Sequence, residues 1–373
     1  MRKQSIILSS VAGLILLLSI FIIACNSPAG TGNNEIQSVP ADFDGILAYQ
    51  ALIDDSFIYL SVNGNTATYY RYYINDNKTV VLGTIDNFYL GTNTVLIDNT
   101  LYFYASVFES DKGDTSNVLF SINLSENKMN SYKNDDNSLA GLLTYQFDGN
   151  IITLKNVVDE QNITTYLDIF DVNSKSWKQE NINVVDKNTY IGSAIFGLYG
   201  NKEAVYVLHD ECLGGQGNVN TTLKVYDSNM NEIQTINIAN DLRDYMLSSR
   251  IQEMAVFGNY IYTQNTSNYS LLGKIEGNTI EPIIKERNLS LNLNQTSTNT
   301  PFFYIRRSNK CYILDTETET ITPIDLQIGN EYTIRCIFAD EKNILINCYS
   351  ADKPQYLYYL RRDNLSNTYI PCE

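Results

Sequence analysis

The chain has 373 residues, 44% of them hydrophobic, with 28 Tyr, one Trp and one His, which is enough apolar material for a real core in one large repeat domain or two ordinary ones. Its formal charge of −16 makes a field that repels nucleic acid and anionic lipid, so neither is an expected direct partner. With a single histidine, any His-dependent triad or multi-His metal site must use His209 or does not exist.

The chain opens with the basic Met1-Arg2-Lys3 and an apolar run from near Ile6, which ends at Ile22-Ile23-Ala24-Cys25 before the polar Asn26-Ser27-Pro28. A positive n-region, an apolar h-region and a small residue before a cut mark a secretory signal. Because cysteine follows the small residue, the stretch resembles the lipobox of bacterial lipoproteins, which implies a fatty-acylated (palmitate-bearing) Cys25 as the new N-terminus. Ile22 stands where that pattern prefers Leu. The alternative is an uncleaved anchor, since a run of about 18 residues is near the lower limit for a membrane span. Either way the rest of the chain lies outside the cytoplasm, held at the cell membrane. The expected organisation is a signal peptide over 1–24, a lipidated N-terminus and flexible tether over 25–43, and a folded domain over 44–373. The tether is rich in Ser, Pro, Gly, Asn and Thr, and about 15 such residues span roughly 20 Å as a coil.

From Asp44 onward one pattern recurs. A short apolar stretch enters a tight polar turn and leaves as a second apolar stretch, as in Ile97-Asp98-Asn99-Thr100 before Leu101-Tyr102-Phe103-Tyr104, or Phe147-Asp148-Gly149-Asn150 before Ile151-Ile152-Thr153-Leu154. Residues 54, 98, 148, 200, 258, 299 and 340 anchor seven copies. Each is followed by a second strand–turn–strand unit, among them Tyr166-Leu167-Asp168-Ile169-Phe170 with Asp171-Val172-Asn173-Ser174, and Cys311-Tyr312-Ile313-Leu314 with Asp315-Thr316-Glu317-Thr318. Four short strands recurring every 41 to 58 residues match the blade of a β-propeller, whose usual period is about 40 to 50 residues. A lone meander cannot bury both faces, whereas blades packed around an axis bury them and leave only short edges. The predicted fold is therefore all-β, a propeller of about seven four-stranded blades, with six or eight left open. A pair of β-sandwiches would need a linker that is absent, and one sandwich rarely reaches this length. The last copy carries a predicted fourth strand of its own, about Asn367 to Cys372. The ring then closes by face packing alone, or residues 33–40 add an outer strand.

Lipobox, short polar tether and tyrosine-rich repeat together resemble the bacterial extracytoplasmic β-propeller lipoproteins. The resemblance is one of architecture. No Trp-Asp pair, kelch Gly-Gly doublet or sialidase Asp-box occurs in the repeats, so no functional residue carries over from those families.

The longest gap between anchors holds the best helix candidate, Asp241 to about Met254, with Asn240 or Asp241 as N-cap and Leu242, Tyr245, Met246 and Ile251 on one face. Earlier in the same gap lies His209-Asp210-Glu211-Cys212-Leu213-Gly214-Gly215, whose first four residues all belong to metal-ligating types. His beside Cys is also a nucleophile–base pairing. Consecutive residues on an extended chain point to opposite faces, so convergence on one ion requires a sharp loop, and a long solvated hairpin loop is the simpler reading. No cofactor is expected. Acidic and Asn-rich clusters (Asp54-Asp55, Asp111 to Asn117, Asn134 to Asn137) have oxygen ligands suited to Ca²⁺, without EF-hand spacing; turn chemistry accounts for them equally. Apart from Cys25, five cysteines without a CxxC pair make a poor zinc or disulfide framework. Cys336 and Cys348 face each other nearly enough for a cross-strand bridge, and buried thiols are the simpler reading. Tyr69, Tyr70, Tyr72 and Tyr73 alternate between strand faces, serving either packing or an aromatic platform.

The functional expectation is a monomeric, membrane-anchored extracytoplasmic module that binds a protein or glycan ligand of the cell envelope. The alternative is a propeller glycoside hydrolase or lyase using channel carboxylates from different blades.

Overall fold

The computed structural model describes residues 37–39, 52–53, 56–108, 115–133, 145–195, 197–199, 204–212, 219–291, 301–306, 310–328, 332–339, 342–350, 356–361 and 369–370. They belong to a compact unit that begins at Ile36. Cys25 and its lipobox, and the three acidic clusters except for Thr115 to Asn117, fall outside them.

Repeated up-and-down strands of Tyr, Ile, Val and Thr, each joined by a tight polar turn, form seven blades in a ring. Blade 1 is Leu52–Ile53, Ser56–Asn63, Thr66–Tyr73 and Lys78–Asp86; blade 2 is Phe88–Ile97, Thr100–Phe108, Thr115–Asn123 and Lys128–Lys133. Blade 3 is Tyr145–Phe147, Asn150–Val158, Asn162–Asp171 and Ser176–Asp186, and blade 4 is Tyr190–Ile195, Val205–Cys212, Val219–Tyr226 and Glu232–Asn237. Blade 5 is Ile251–Phe257, Tyr260–Asn265, Tyr269–Glu276 and Thr279–Arg287; blade 6 is Leu289–Leu291, Phe302–Ile305, Lys310–Asp315 and Thr320–Asp325. Gly197–Tyr199, which continues the first strand of blade 4, pairs parallel with the first strand of blade 5. Every one of the seven anchors falls between the first and second strands of its blade.

Blade 7 is Thr333–Ala339, Asn343–Tyr349 and Tyr356–Arg361, and its outer strand is Gln37–Val39, with Gln37 opposite Tyr359 and Val39 opposite Leu357. Of the two closures open in the sequence, the ring thus uses the added N-terminal strand. This corrects two expectations. The outer strand of blade 7 is not Asn367 to Cys372, because Tyr369–Ile370 instead pairs parallel with Gln327–Ile328 beyond blade 6. Residues 37–39, expected as tether, belong to the sheet. The physical reason is the edge: Tyr356–Arg361 would otherwise present an open row of backbone groups, and Gln37–Val39 covers it. Proline at Ser38 or Gln37 tests this closure, because neighbouring residues on an antiparallel strand alternate between bonded and outward N–H groups. One of the two prolines should lower stability in urea titrations by about 1–3 kcal/mol and the other by clearly less; two wild-type curves would mean that the strand does not hold the ring.

The core is a circuit of seams between blades. Ile58, Leu60, Tyr69, Phe103 and Ile122 join blades 1 and 2, and Tyr102, Tyr104 and Ile151, with Trp177 against them, join blades 2 and 3. A larger cluster spans blades 3 to 5, another spans blades 5 to 7, and Phe57 and Tyr72 meet Leu345, Leu357 and Tyr359 to complete the circle between blades 1 and 7. The tyrosines show the alternation at work. Tyr69 faces blade 2 and stacks on Phe103 at 5.0 Å, while Tyr70 stacks on Tyr59 at 4.9 Å. Arg71, on the Tyr69 side, is buried and donates to Ser56 Oγ at 2.8 Å and to the Leu124 carbonyl at 2.9 Å, tying blade 1 to blade 2. Cys311 and Cys348 are core residues; Cys348 lies opposite Ile334 and Cys336 opposite Asn347, across a register shift.

Backbone bonds braid the rims as well. On the face bearing the hairpins between second and third strands, Asn87 N–H reaches Asn65 O and Phe108 N–H reaches Asn87 O, at 2.7 and 2.8 Å. The same relay recurs between blades 5 and 6, where Asn288 N–H bonds Asn268 O and Arg306 N–H bonds Asn288 O, at 2.8 and 3.1 Å. Asn87 and Asn288 have φ of 50° and 62°, a left-handed conformation that asparagine tolerates better than most residues. On the opposite face, Asn123, Asp171, Asp227 and Asp315 each open the turn before the fourth strand, with a side-chain oxygen accepting backbone N–H groups two to four residues on. Turn formation is what the acidic and Asn residues do at these positions.

The predicted helix is much shorter than Asp241 to Met254. One α-turn, Arg243–Met246, follows Leu242 as N-cap without a side-chain bond, a 3₁₀ turn covers Ser248–Arg250, and Ile251 already begins the next blade. The turn ends because Asn265 Nδ2 and Thr263 Oγ1 take the carbonyls of Asp244 and Tyr245, at 2.7 and 2.9 Å, so that the chain is captured by the neighbouring strand.

Candidate functional site

His209, Asp210, Glu211 and Cys212 are the last four residues of the second strand of blade 4 rather than part of a loop. His209 and Asp210 are buried, Glu211 and Cys212 partly so, and strand alternation sends neighbours to opposite sides of the sheet. The structure therefore does not bring the four together. Among the described residues, no group of three or more His, Cys, Asp and Glu side chains is placed to hold a metal ion.

His209 faces blade 3. Its Nδ1 meets Ser193 Oγ at 2.8 Å, on the strand register partner, and Asn183 Nδ2 at 3.3 Å, from the outer strand of blade 3. An amide donor and a hydroxyl that can donate both aim at Nδ1, which assigns the ring proton to Nε2; Nε2 is buried without a partner. Nearby, the Tyr190 hydroxyl is also buried without a well-formed bond, beside Ser193 and Thr165. Burial, then the Lys224 ammonium, pushes the imidazole down to about 3, against a smaller opposing effect of Glu232. The ring is neutral at physiological pH and a weak base, whereas a general base works best near the operating pH.

Asp210 faces the other way, toward the segment before blade 5. Ser248 N–H and Ser248 Oγ donate to Oδ2, both at 2.6 Å, and Thr221 Oγ1 donates to Oδ1 at 2.7 Å. Burial raises its carboxyl above the ordinary range, against the lowering effect of these bonds and of Arg243. Ser193, His209 and Asp210 have the residue types of a hydrolytic triad and lack its geometry, since the carboxylate lies across the sheet from the imidazole. What the arrangement does is knit blade 4 to blade 3 through His209 and to blade 5 through Asp210.

One titratable group of the inner strands stands apart, and nothing in the sequence marks it. Glu253 sits on the first strand of blade 5, just after a register shift, on the side of Ala255 and Phe257 that faces blade 6. The residue keeps partial exposure, yet protein surrounds its carboxyl, and that burial pushes the carboxyl up to about 8. No described residue makes a hydrogen bond to it. It lies close enough to the buried Tyr262 hydroxyl to raise the latter's pKa further. Tyr262 in turn donates to the Leu289 carbonyl, which also accepts from Gln264 Nε2 and Ser270 Oγ, each at 2.8 Å. A carboxyl of this kind is protonated at neutral pH and offers a hydrogen-bond donor near the ring axis. Only tertiary packing creates it, because the sequence shows one glutamate among many.

No protein-family model matches the chain and no curated protein is similar to it in sequence. Similarity appears at the level of structure. An oligogalacturonate lyase in complex with manganese superposes with a TM-score of 0.54 at 12% identity, covering 89% of this chain and 94% of that one. The oligogalacturonate lyase from Vibrio parahaemolyticus gives 0.52 at 9% identity, over 89% and 94%. The β-propeller domain of the Trilobed protease from Pyrococcus furiosus, described as having an open velcro topology, gives 0.52 at 12% identity, over 85% and 95%. The chain spans about half, 48%, of the acylaminoacyl peptidase from Pyrococcus horikoshii, with a TM-score of 0.49. At these identities the likeness is one of fold, and the fold of this chain is a seven-bladed β-propeller.

Proposed function

We propose that this chain is a lipid-anchored propeller lipoprotein, acylated at Cys25 and facing the extracytoplasmic side of the cell membrane, that binds a protein or glycan ligand of the envelope. The anchoring half of the reading rests on the order basic residues, apolar run, Ile22-Ile23-Ala24-Cys25 and polar tether. The binding half is carried by one observation. Half of the ten exposed large apolar side chains among the described residues lie at strand ends of a single face, the one bearing the hairpins between second and third strands: Val62 of blade 1, Phe108 of blade 2, Val157 and Val158 of blade 3, and Tyr349 of blade 7 are 39–55% exposed. Concentration of apolar surface on one face is a mark of an interaction surface. A net charge of −16 keeps such a ring off an anionic membrane, and the lipid supplies the attachment.

Cells expressing the chain and fed a clickable fatty acid should label it, and Cys25→Ala should abolish the label. Absence of label on the wild type, or label that survives the substitution, would overturn the anchor. Pull-down from envelope extract with the full chain in detergent, beside a glycan-cleavage screen, tests the binding role. Turnover of a polysaccharide, lost in a variant of a single inner-strand carboxylate, would replace that role with catalysis.

A further inference from the structure

The acidic chain carries a local excess of arginine. Among its exposed cationic side chains, Arg250 precedes the first strand of blade 5, Arg287 ends its fourth, and Arg306 follows the second strand of blade 6. All three lie on the face that carries the exposed apolar side chains, and backbone bonds tie their segments along one rim. Thr266 N–H bonds the Arg250 carbonyl at 2.7 Å, Asn288 N–H bonds Asn268 O at 2.8 Å, and Arg306 N–H bonds Asn288 O at 3.1 Å. Counting the hairpin step from Thr266 to Asn268, four strand steps of about 4.8 Å separate the outer two arginines, a backbone span of at most about 19 Å.

The side chains differ in a useful way. Arg287 is held against an aromatic ring, its guanidinium 4.2 Å from the Tyr269 ring centre and its Nη2 donating to the Tyr269 hydroxyl. Tyr245 meets Tyr269 edge to face at 6.0 Å, which makes a small aromatic ledge on this rim. Arg250 and Arg306 form no ion pair among the described residues. The exposed carboxylates of the same segments are Asp241, Asp244, Glu281 and Glu286; Asp241 is engaged by Lys285 at 3.0 Å, and Glu281 lies near the far end of the strand that Arg287 ends.

We propose that this rim of blades 5 and 6 binds an acidic polysaccharide, with Arg250, Arg287 and Arg306 reading successive carboxylates and the tyrosine ledge packing against a sugar ring. Guanidinium is the side chain suited to planar, two-point recognition of carboxylate. Partly exposed tyrosine gives a rigid apolar face with a polar edge, as a pyranose ring requires. A row of separated cations matches a repeating anion better than one small ion. The strongly negative remainder of the chain limits the contact to this rim, which favours a flexible polymer over an extended acidic surface. The proposal deepens the binding role of the anchored propeller and rests on it for access to the envelope.

The test is affinity electrophoresis of the full chain in detergent through gels containing alginate, its propylene glycol ester or poly-glutamate. Alginate should retard the wild type, with retardation weakening as salt shortens the screening length. The esterified polymer should not retard it, and the double variant Arg250→Ala, Arg306→Ala should bind at least tenfold more weakly while keeping its thermal transition. Absence of retardation by alginate, equal retardation by the ester, an unaffected double variant, or stronger retardation by poly-glutamate would each overturn the proposal; the last would identify an acidic protein instead. Failure here, with fatty-acid label intact on Cys25 and an envelope partner captured, would remove the polysaccharide and leave the anchored binding module standing.

Discussion

Glu253→Gln should stabilise the protein in alkaline buffer and leave it unchanged in acid. The carboxyl titrates near 8 in the folded chain against 4.5 ordinarily. Between those values the folded state keeps a proton that the unfolded state has released, so stability falls as pH rises through this window. Below it both states are protonated, and above it the folded state carries a desolvated charge. Glutamine keeps the shape of the neutral acid and never ionises. Thermal transitions of wild type and variant should coincide near pH 4, part between pH 5 and 8, and reach their widest separation at pH 9. At about 1.4 kcal/mol for each pH unit between the two titration points, and with the partial exposure of the residue allowed for, the effect is on the order of 4 kcal/mol. Parallel profiles across the range would show that the carboxyl is solvated and has no special chemistry. A parting of the curves would mark Glu253 as a proton donor at neutral pH, and as the first residue to vary if a polysaccharide-cleaving activity is found.

Asp210→Ala should be the most damaging change in blade 4. It leaves Ser248 N–H, Ser248 Oγ and Thr221 Oγ1 without the acceptor they now share. Each buried donor left unpaired costs about 1–3 kcal/mol, and relief of the buried charge offsets part of the sum, giving a loss of about 3 kcal/mol. Asp210→Asn keeps one acceptor oxygen and should fall between. His209→Gln should cost less, because Nε2 of the imidazole is already unpaired. Urea denaturation of the three variants orders them. A larger loss for His209 than for Asp210, or stabilisation of the wild type by added Zn²⁺ that His209→Gln abolishes, would point back to metal binding in this strand.

The blade repeat is legible in the sequence because it is local. A turn such as Asp98-Asn99 or Asp148-Gly149 needs residues that tolerate positive φ, and Asp98, Asn99, Asp148 and Gly149 all have it. The strands on either side need Tyr, Ile and Val in alternation. Both signals survive without any knowledge of the partner blade. The helix expected over Asp241 to Met254 fails for the complementary reason: Leu242, Tyr245, Met246 and Ile251 are spaced like a helix face, yet Ile251 is paired with Asn265 in a sheet. Spacing over so short a run does not separate a helix from a turn leading into a strand.

By itself, then, the amino-acid order determined the strand periodicity, the seven turn positions and hence the propeller, along with the lipobox-like start that no folded contact is needed to recognise. Tertiary structure alone decided which edge Gln37–Val39 covers, since a three-residue strand carries no pairing information of its own. It also decided that His209 and Asp210 serve two different blade seams, because alternation along one strand separates neighbours that stand side by side in the sequence. It decided which glutamate among many is held protonated and which arginines share a rim. Those properties depend on desolvation and on distances between strands far apart in the chain, and neither quantity exists until the ring has closed.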